Sequence, residues 1–346
     1  MKNQVLPLLC GATLVCGVMA VSAPAQQGGP RPPAAKPAQA GPDLTILHAQ
    51  VILDHLGFSP GVIDGKRGQT LKQALSGFQA ANGLKVSGEL DRPTMAALAR
   101  YKATRPLRVV TISAEDAKGP FVGPLPKDYA KQAKLPTLGY ADLGEKLAEQ
   151  YHTTRAVLAA LNGGPRTKVG AGVTIKVPNV VTAQRRYPAD LKPDWTATLA
   201  MLNVPANQPA ADHIVVDKSE GVLKVYAAGD RLVAQFPVTT GSEHDPLPLG
   251  RWKINGPSYN PPFHFNPDLF WDAKSKDKEQ LLPPGPNGPV GVIWLDLSKE
   301  HYGIHGTPNP ETIGRSESHG CIRMTNWDAA KLSLMVKPGT PAIFQA

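Results

Sequence analysis

Between Pro42 and about Tyr101 the apolar positions fall into a helical rhythm. Leu44, Leu47, Val51, Leu53 and Leu56 recur at helix spacing and predict an amphipathic helix. The run Gly57-Phe58-Ser59-Pro60-Gly61 must end it, since Gly and Pro favour turns. Leu71, Ala74, Leu75 and Phe78 mark a second helix, closed by Asn82-Gly83-Leu84. Gly88-Glu89-Leu90-Asp91 leads into a third around Thr94–Leu98, which gives a small three-helix module. Two further helices are expected at Asp142–Leu147 and Ala156–Leu161, and Val173–Pro178 reads as a strand. From Asp212 the period shortens to two. Ile214–Asp217 and Gly221–Tyr226 predict strands joined by a Lys218-Ser219-Glu220 turn, with a third at Arg231–Val238. More strands are expected around Gly250–Ile254 and Gly291–Leu297. Between them Gly256–Pro289 is long and aromatic (Pro261-Pro262-Phe263, Phe270-Trp271), the pattern of a lid or cleft wall.

Composition narrows the class. At roughly 100–200 residues per domain, a chain of 346 residues holds two or three domains. A hydrophobic share of 42% excludes disorder of the whole chain, and 33 Gly with 35 Pro call for many turns and a linker. Past the first residues no apolar run approaches the roughly 18–20 residues that span a bilayer. Met1-Lys2 opens a basic region, an apolar stretch runs from Val5 to Val21, and Ser22-Ala23-Pro24-Ala25 supplies small residues for cleavage. Residues 1–25 therefore read as a signal peptide, and the mature protein as exported to the periplasm or cell wall. Residues 26–41, rich in Pro and Ala, read as a linker.

Cleavage changes the cysteine count. Cys10 and Cys16 leave with the signal, and Cys321 alone remains. One thiol in an oxidising compartment cannot form an internal disulfide, so it is either inert or kept for reactivity. It lies in Ser316-Glu317-Ser318-His319-Gly320-Cys321-Ile322-Arg323, downstream of His301-Tyr302-Gly303-Ile304-His305-Gly306-Thr307. A free thiol is only a few per cent thiolate at neutral pH, so a histidine that takes its proton turns it into a nucleophile. His319 leaves an extended chain on the same face as Cys321, whereas His305 must be brought close by the fold; spacing leaves both open. His301, His305, His319 and Cys321 are also possible zinc donors, but their spacing matches no compact zinc pattern. Neither a metal nor another cofactor is expected. The net charge of +9 is not gathered into a basic helix, which with export favours anionic wall polymers over nucleic acid.

Several of these segments resemble known families. Leu56-Gly57-Phe58, Ile63-Asp64-Gly65, Phe78-Gln79, Gly83-Leu84, Ser87-Gly88 and Thr94 are similar to peptidoglycan-binding domains, over residues 42–101. Residues 136–179, a βααβ order ending in strand-Pro, look like a degenerate LysM module, which would bind wall glycan. Residues 212–346 resemble the catalytic core of the L,D-transpeptidase (YkuD-type) family through Thr240-Gly241, Pro284-Gly285-Pro286-Asn287, Ile304-His305-Gly306-Thr307 and Cys321-Ile322-Arg323-Met324. Leu247-Pro248-Leu249-Gly250 departs from the family's Thr-Pro before Gly, away from the chemistry.

The resemblance implies an α+β multidomain chain: a helical wall-binding module, a LysM-like module and a mainly β, sandwich-like catalytic domain. It implies Cys321 as nucleophile, His305 as general acid/base, and the Gly306 carbonyl orienting His305. Backbone N–H groups of His319, Gly320 and Cys321 would form an oxyanion hole, with Arg323, Ser318 and Thr307 toward the substrate. That substrate is a peptidoglycan stem peptide, cross-linked to a second stem or to an acceptor protein. Two rival readings share these features: an L,D-carboxypeptidase, and a non-catalytic wall-binding protein.

Overall fold

The computed structural model describes residues 41–271, 273 and 278–346; the expected signal peptide and all but the end of the linker lie outside them. The three predicted helices form as α1 (Leu44–His55), α2 (Gln69–Ala81) and α3 (Arg92–Leu98). Asp43 caps α1 by accepting from the N–H of Thr45 and Ile46, and Asp91 caps α3 through Thr94 N–H. Leu53, Leu71, Leu75 and Phe78 make the module's core. Gln79 is fully buried yet satisfied. Its amide donates to Ser87, Glu89 and Thr94, and its carbonyl accepts from the N–H of Ser87 and Gly88. One side chain thus pins the loop into α3.

Next come β1 (Leu107–Thr111), α4 (Tyr129–Gln132), α5 (Leu143–Gln150), α6 (Arg155–Leu161), β2 (Thr174–Pro178) and α7 (Pro193–Met201). Strands β1 and β2 pair antiparallel, Leu107 opposite Pro178. The two helices and the second strand fall where the pattern puts them. The first strand instead lies upstream of residues 136–179, because Leu107–Thr111 lacks clean alternation and leaves Val109 exposed. Leu147, Tyr151, Leu158, Ile175 and Val177 share one cluster with Leu47, Val51 and Ile63 of the helical module. These two segments have a common core.

The mainly β part comprises β3 (His213–Asp217), β4 (Val222–Ala227), β5 (Arg231–Pro237), β6 (Gly250–Tyr259), β7 (Phe263–Phe265), β8 (Gln280–Leu282), β9 (Ile293–Leu297), β10 (Gly303–His305), β11 (Ile322–Arg323), α8 (Asn326–Ser333) and β12 (Pro341–Gln345). The main sheet runs β11-β10-β9-β6-β12-β3-β4-β5. β6 turns its corner: residues 250–253 pair with β12, residues 254–259 pair with β9, and the register shifts between Ile254 and Gly256. A strand shared by two sheet halves is how layers bend over one core. Val216, Leu223 and Phe236 of one half pack with Ile293, Leu295 and Ile304 of the other around Trp327. The Gly256–Pro289 stretch is not wholly irregular, since β7 and β8 pair within it.

Helical module and sheet are joined by main chain. Ser59 N–H donates to the Gln235 carbonyl at 2.9 Å, and Gln235 N–H to the Gly57 carbonyl at 3.0 Å, along edge strand β5. Deeper in, the Lys331 ammonium of α8 donates to Asp54 of α1 at 2.6 Å, and both side chains are buried. His152 faces Asp54 with Nδ1 and the Leu202 carbonyl with Nε2, and stacks on Trp327. Ser59 donates to Asp328 at 2.7 Å. Burial alone would raise the Asp54 carboxyl; Lys331 and His152 reverse that and hold it well below the usual range. This junction ties all three parts of the chain together.

Candidate active site

Strand β10 lies parallel to β11, with Ile304 opposite Ile322 and His305 opposite Arg323. Cys321 sits at the bend that enters β11, one strand over and two residues back from His305. Its half-buried thiol points at the His301 carbonyl, 3.8 Å away, and Gly303 N–H donates to the sulfur. The fold therefore puts on neighbouring strands two residues that are sixteen apart in the chain.

His305 is held tightly. Its Nδ1 lies 2.7 Å from the Gly306 carbonyl, which can only accept, so Nδ1 carries the hydrogen and Nε2 keeps its lone pair. The ring stacks on Trp294 at 5.5 Å, and the main-chain carbonyl accepts from Met324 N–H at 2.8 Å. Burial pulls its pKa down to about 4; the Gly306 carbonyl opposes this and the Arg323 cation adds to it. Burial pushes the Cys321 thiol up, partly offset by Gly303 N–H and Arg323, while Asp245 raises it further. Both shifts favour the uncharged forms. Those forms are a thiol at Cys321 and a neutral imidazole at His305, the direction in which burial pushes each.

The loop before Cys321 has its own supports. Gly320 has φ of +94°, and a Cβ there would come within 2.7 Å of the Tyr302 ring, so only glycine fits. Ser318 is buried and donates to the Cys321 carbonyl at 2.6 Å, while its own N–H donates to the Thr240 carbonyl. Thr307 is also buried and accepts from Asn309 N–H. Neither hydroxyl lies open toward a ligand. Arg323 donates to the Glu317 carbonyl at 3.3 Å and acts electrostatically on both His305 and Cys321. His319 lies against Phe270 and Trp271 of the long aromatic stretch, and Trp271 stacks on His244. The structure thus gathers His305, Gly306, Gly320, Cys321 and Arg323, and sets His319 against the aromatic wall. Among the described residues no group of three or more His, Cys, Asp or Glu could hold a metal ion.

Behind His305 stand residues that the pattern does not single out. Asn326, fully buried, accepts from Val292 N–H at 3.2 Å and donates to Glu149 at 2.6 Å and to the Pro286 carbonyl at 3.1 Å. Its amide oxygen fills the space beside Gly306 and Gly291, where a Cβ on either glycine would collide with it. Glu149, on α5, also bonds Tyr140, and burial raises its carboxyl to about 7 despite both hydrogen bonds. A folded-state pKa above the ordinary glutamate value of 4.5 makes the folded protein hold the extra proton, so Glu149 weakens stability as pH rises from about 4.5 to 7. Glu149→Gln has no such proton to lose. Its stability relative to wild type should climb by up to about 3 kcal/mol over that window, read from denaturant midpoints at several pH values. A difference that stays flat with pH would refute the raised carboxyl.

Two parts of the chain match known families. The family model described as "L,D-transpeptidase catalytic domain" matches residues 211–344, and that described as "Putative peptidoglycan binding domain" matches residues 44–98. The Bacillus licheniformis protein named "Putative L,D-transpeptidase YkuD" is 32% identical over 200 residues, which is 57% of this chain and 89% of that protein. "Probable L,D-transpeptidase YbiS" of Escherichia coli K12 is 30% identical over 154 residues, 42% of this chain and 49% of its own. Among solved structures, an L,D-transpeptidase from Mycobacterium smegmatis aligns at 22% identity and a TM-score of 0.32, over 38% of this chain and 58% of that one, a score too low to argue from. The match to nearly the full length of the Bacillus licheniformis relative, together with the catalytic-domain model, places this chain in the YkuD-type L,D-transpeptidase family of enzymes.

Proposed function

We propose that the protein is an exported peptidoglycan cross-linking enzyme that works through a Cys321 thioester. The observation that carries the reading is the Nδ1–Gly306 hydrogen bond, which leaves Nε2 of His305 as a proton acceptor on the strand beside Cys321. As the sulfur attacks the carbonyl carbon of the third stem residue, the S–C bond forms and the thiol proton moves to Nε2. The negative charge that develops on the carbonyl oxygen is met by N–H groups of His319, Gly320 and Cys321, each donor worth about 3 kcal/mol. Collapse breaks the C–N bond to the terminal D-Ala, whose nitrogen takes the proton from His305. An amine of a second stem, or of an acceptor protein, then attacks the thioester carbonyl and releases the thiol.

Within this reading Arg323 anchors a substrate carboxylate near the thiol, and Ser318 and Thr307 act through the loops they hold. The exposed Trp271 and the stretch around it shield the thioester from water. Residues 136–179, which hold α5, α6 and β2, serve as a LysM-like contact to glycan. Residues 1–25 direct export to the periplasm or wall, and among the described residues no helix is long and apolar enough to cross a membrane.

Intact-protein mass after exposure to a carbapenem tests the chemistry. Wild type should gain one adduct, and Cys321→Ala none. An unmodified wild type with a titratable free thiol would leave the non-catalytic wall-binding reading standing. Release of D-Ala from a tetrapeptide stem without any amine-linked product would favour the carboxypeptidase.

A further inference from the structure

The hydrogen bonds around Gly306 extend past the β domain into helix α5, in the segment expected to contact glycan. Gly306 matters because its carbonyl fixes the His305 tautomer. That carbonyl can point at Nδ1 only while Gly306 keeps its place and its backbone angles. Two contacts hold the residue: its N–H, in the peptide before the carbonyl's own, donates to the Ile293 carbonyl at 3.3 Å, and the Asn326 amide oxygen packs beside its Cα. The Asn326 amide is itself turned by its partners. Its oxygen accepts from Val292 N–H, and its NH2 donates to Glu149 and to the Pro286 carbonyl. Removing the Glu149 acceptor would leave a buried N–H without one of its two bonds and free the amide to rotate or take in water.

We propose that Glu149 and Asn326 are positioning residues for His305. The α5 segment then supplies part of the support of the general base, beyond any contact it makes with the wall. The proposal rests on the reading of His305 as that base. Glu149 is buried behind His305 and touches no reacting atom, so its influence must pass through Asn326 and Gly306.

The test compares the full mature chain with Glu149→Gln, Glu149→Leu, Asn326→Ala and His305→Ala. Two quantities are read: the rate of carbapenem acylation split into binding and chemical steps, and the His305 tautomer by 15N NMR. Gln keeps an acceptor for Asn326, and the Tyr140 hydroxyl can turn to accept from its amide; this variant should acylate within about twofold of wild type. Glu149→Leu and Asn326→Ala should lose about 10- to 100-fold in the chemical step with binding unchanged. Their His305 should give a mixture of Nδ1–H and Nε2–H forms in place of the single Nδ1–H form. Native rates and a single tautomer in both would overturn the proposal while leaving the base in place, provided His305→Ala is slow. If His305→Ala acylates as fast as wild type, the underlying reading of the base fails instead. Failure of both variants to fold, with Glu149→Gln native, would show a pair that holds the fold and positions nothing, and would also overturn it.

Discussion

Replacing Lys331 with methionine will lower the free energy of unfolding by about 3–5 kcal/mol, the usual cost of leaving one partner of a buried ion pair alone. The size follows from burial. The Lys331 ammonium lies 2.6 Å from Asp54, with only 3% and 4% of the two side chains exposed, so water cannot solvate the abandoned carboxylate. Methionine keeps most of the lysine's length, which limits any cavity. Asp54→Asn combined with Lys331→Met should recover part of the loss, because the Asp54 charge is gone and only Asp328, a buried carboxyl that Lys331 also stabilises, still lacks the cation. The Asp54 carboxyl is held below the ordinary aspartate value of 3.8, so its contribution is complete above that pH and is lost only as pH falls further. Denaturant midpoints of wild type and the two variants at pH 7 and pH 3 check both statements. A single variant within 1 kcal/mol of wild type would mean that water reaches the junction.

His305→Ala should reduce carbapenem acylation by about 10² to 10⁴, the range for losing a positioned base, with the fold intact. The pH dependence is the sharper part. An imidazole whose pKa is about 4 remains a base at neutral and mildly acidic pH, so acylation should hold level from pH 8 to about 5 and fall as pH nears 4. Because the thiol is pushed up, alkylation by iodoacetamide, which needs thiolate, should keep rising past pH 9. A preformed thiolate–imidazolium pair would instead alkylate at a constant rate down to acidic pH. Stability follows the same group: between about pH 4 and the ordinary histidine value of 6.5 the unfolded chain binds a proton that the folded one does not. Wild type should therefore lose stability relative to His305→Ala as pH falls through that window.

Local pattern made some of this legible. The spacing of Leu71–Phe78 marks α2 because that helix buries one face, and that of Leu44–Leu56 marks α1 although six consecutive residues, Ala49–Asp54, are buried there. The alternation after Asp212 marks β3 and β4, whereas β5 ends on four buried residues in succession. The placing of His305 on the strand beside Cys321 is another matter, since it depends on β11, a strand of two residues whose parallel partner is distant in the chain. No spacing rule could choose between His305 and His319 without that pairing. Helix α8 was illegible for a different reason. All eight of its residues are buried, Asn326, Asp328 and Lys331 among them, so it carries no apolar stripe. Its polar residues meet Glu149, Ser59 and Asp54 on three separate segments, and such partners leave no trace in local sequence. Strand β1 escaped because its exposure does not alternate, and such a segment looks like a loop.

The bridge of residues 57–59 to Gln235 has a consequence for how the chain can be cut. Strand β5 ends the eight-stranded ladder, and an uncovered ladder end is a template on which a second molecule can build. In the whole chain Gly57 and Ser59 occupy the N–H and carbonyl of Gln235 respectively, while the Gln73 carbonyl accepts from the Gln235 amide and the Gln73 amide donates to the Glu220 carbonyl just beyond. The helical module is therefore also a cap against self-association. A fragment starting near residue 212 keeps the thiol and its histidine yet exposes β5 along its length, and the natural fate of such a fragment is to pair edge to edge with its own copies.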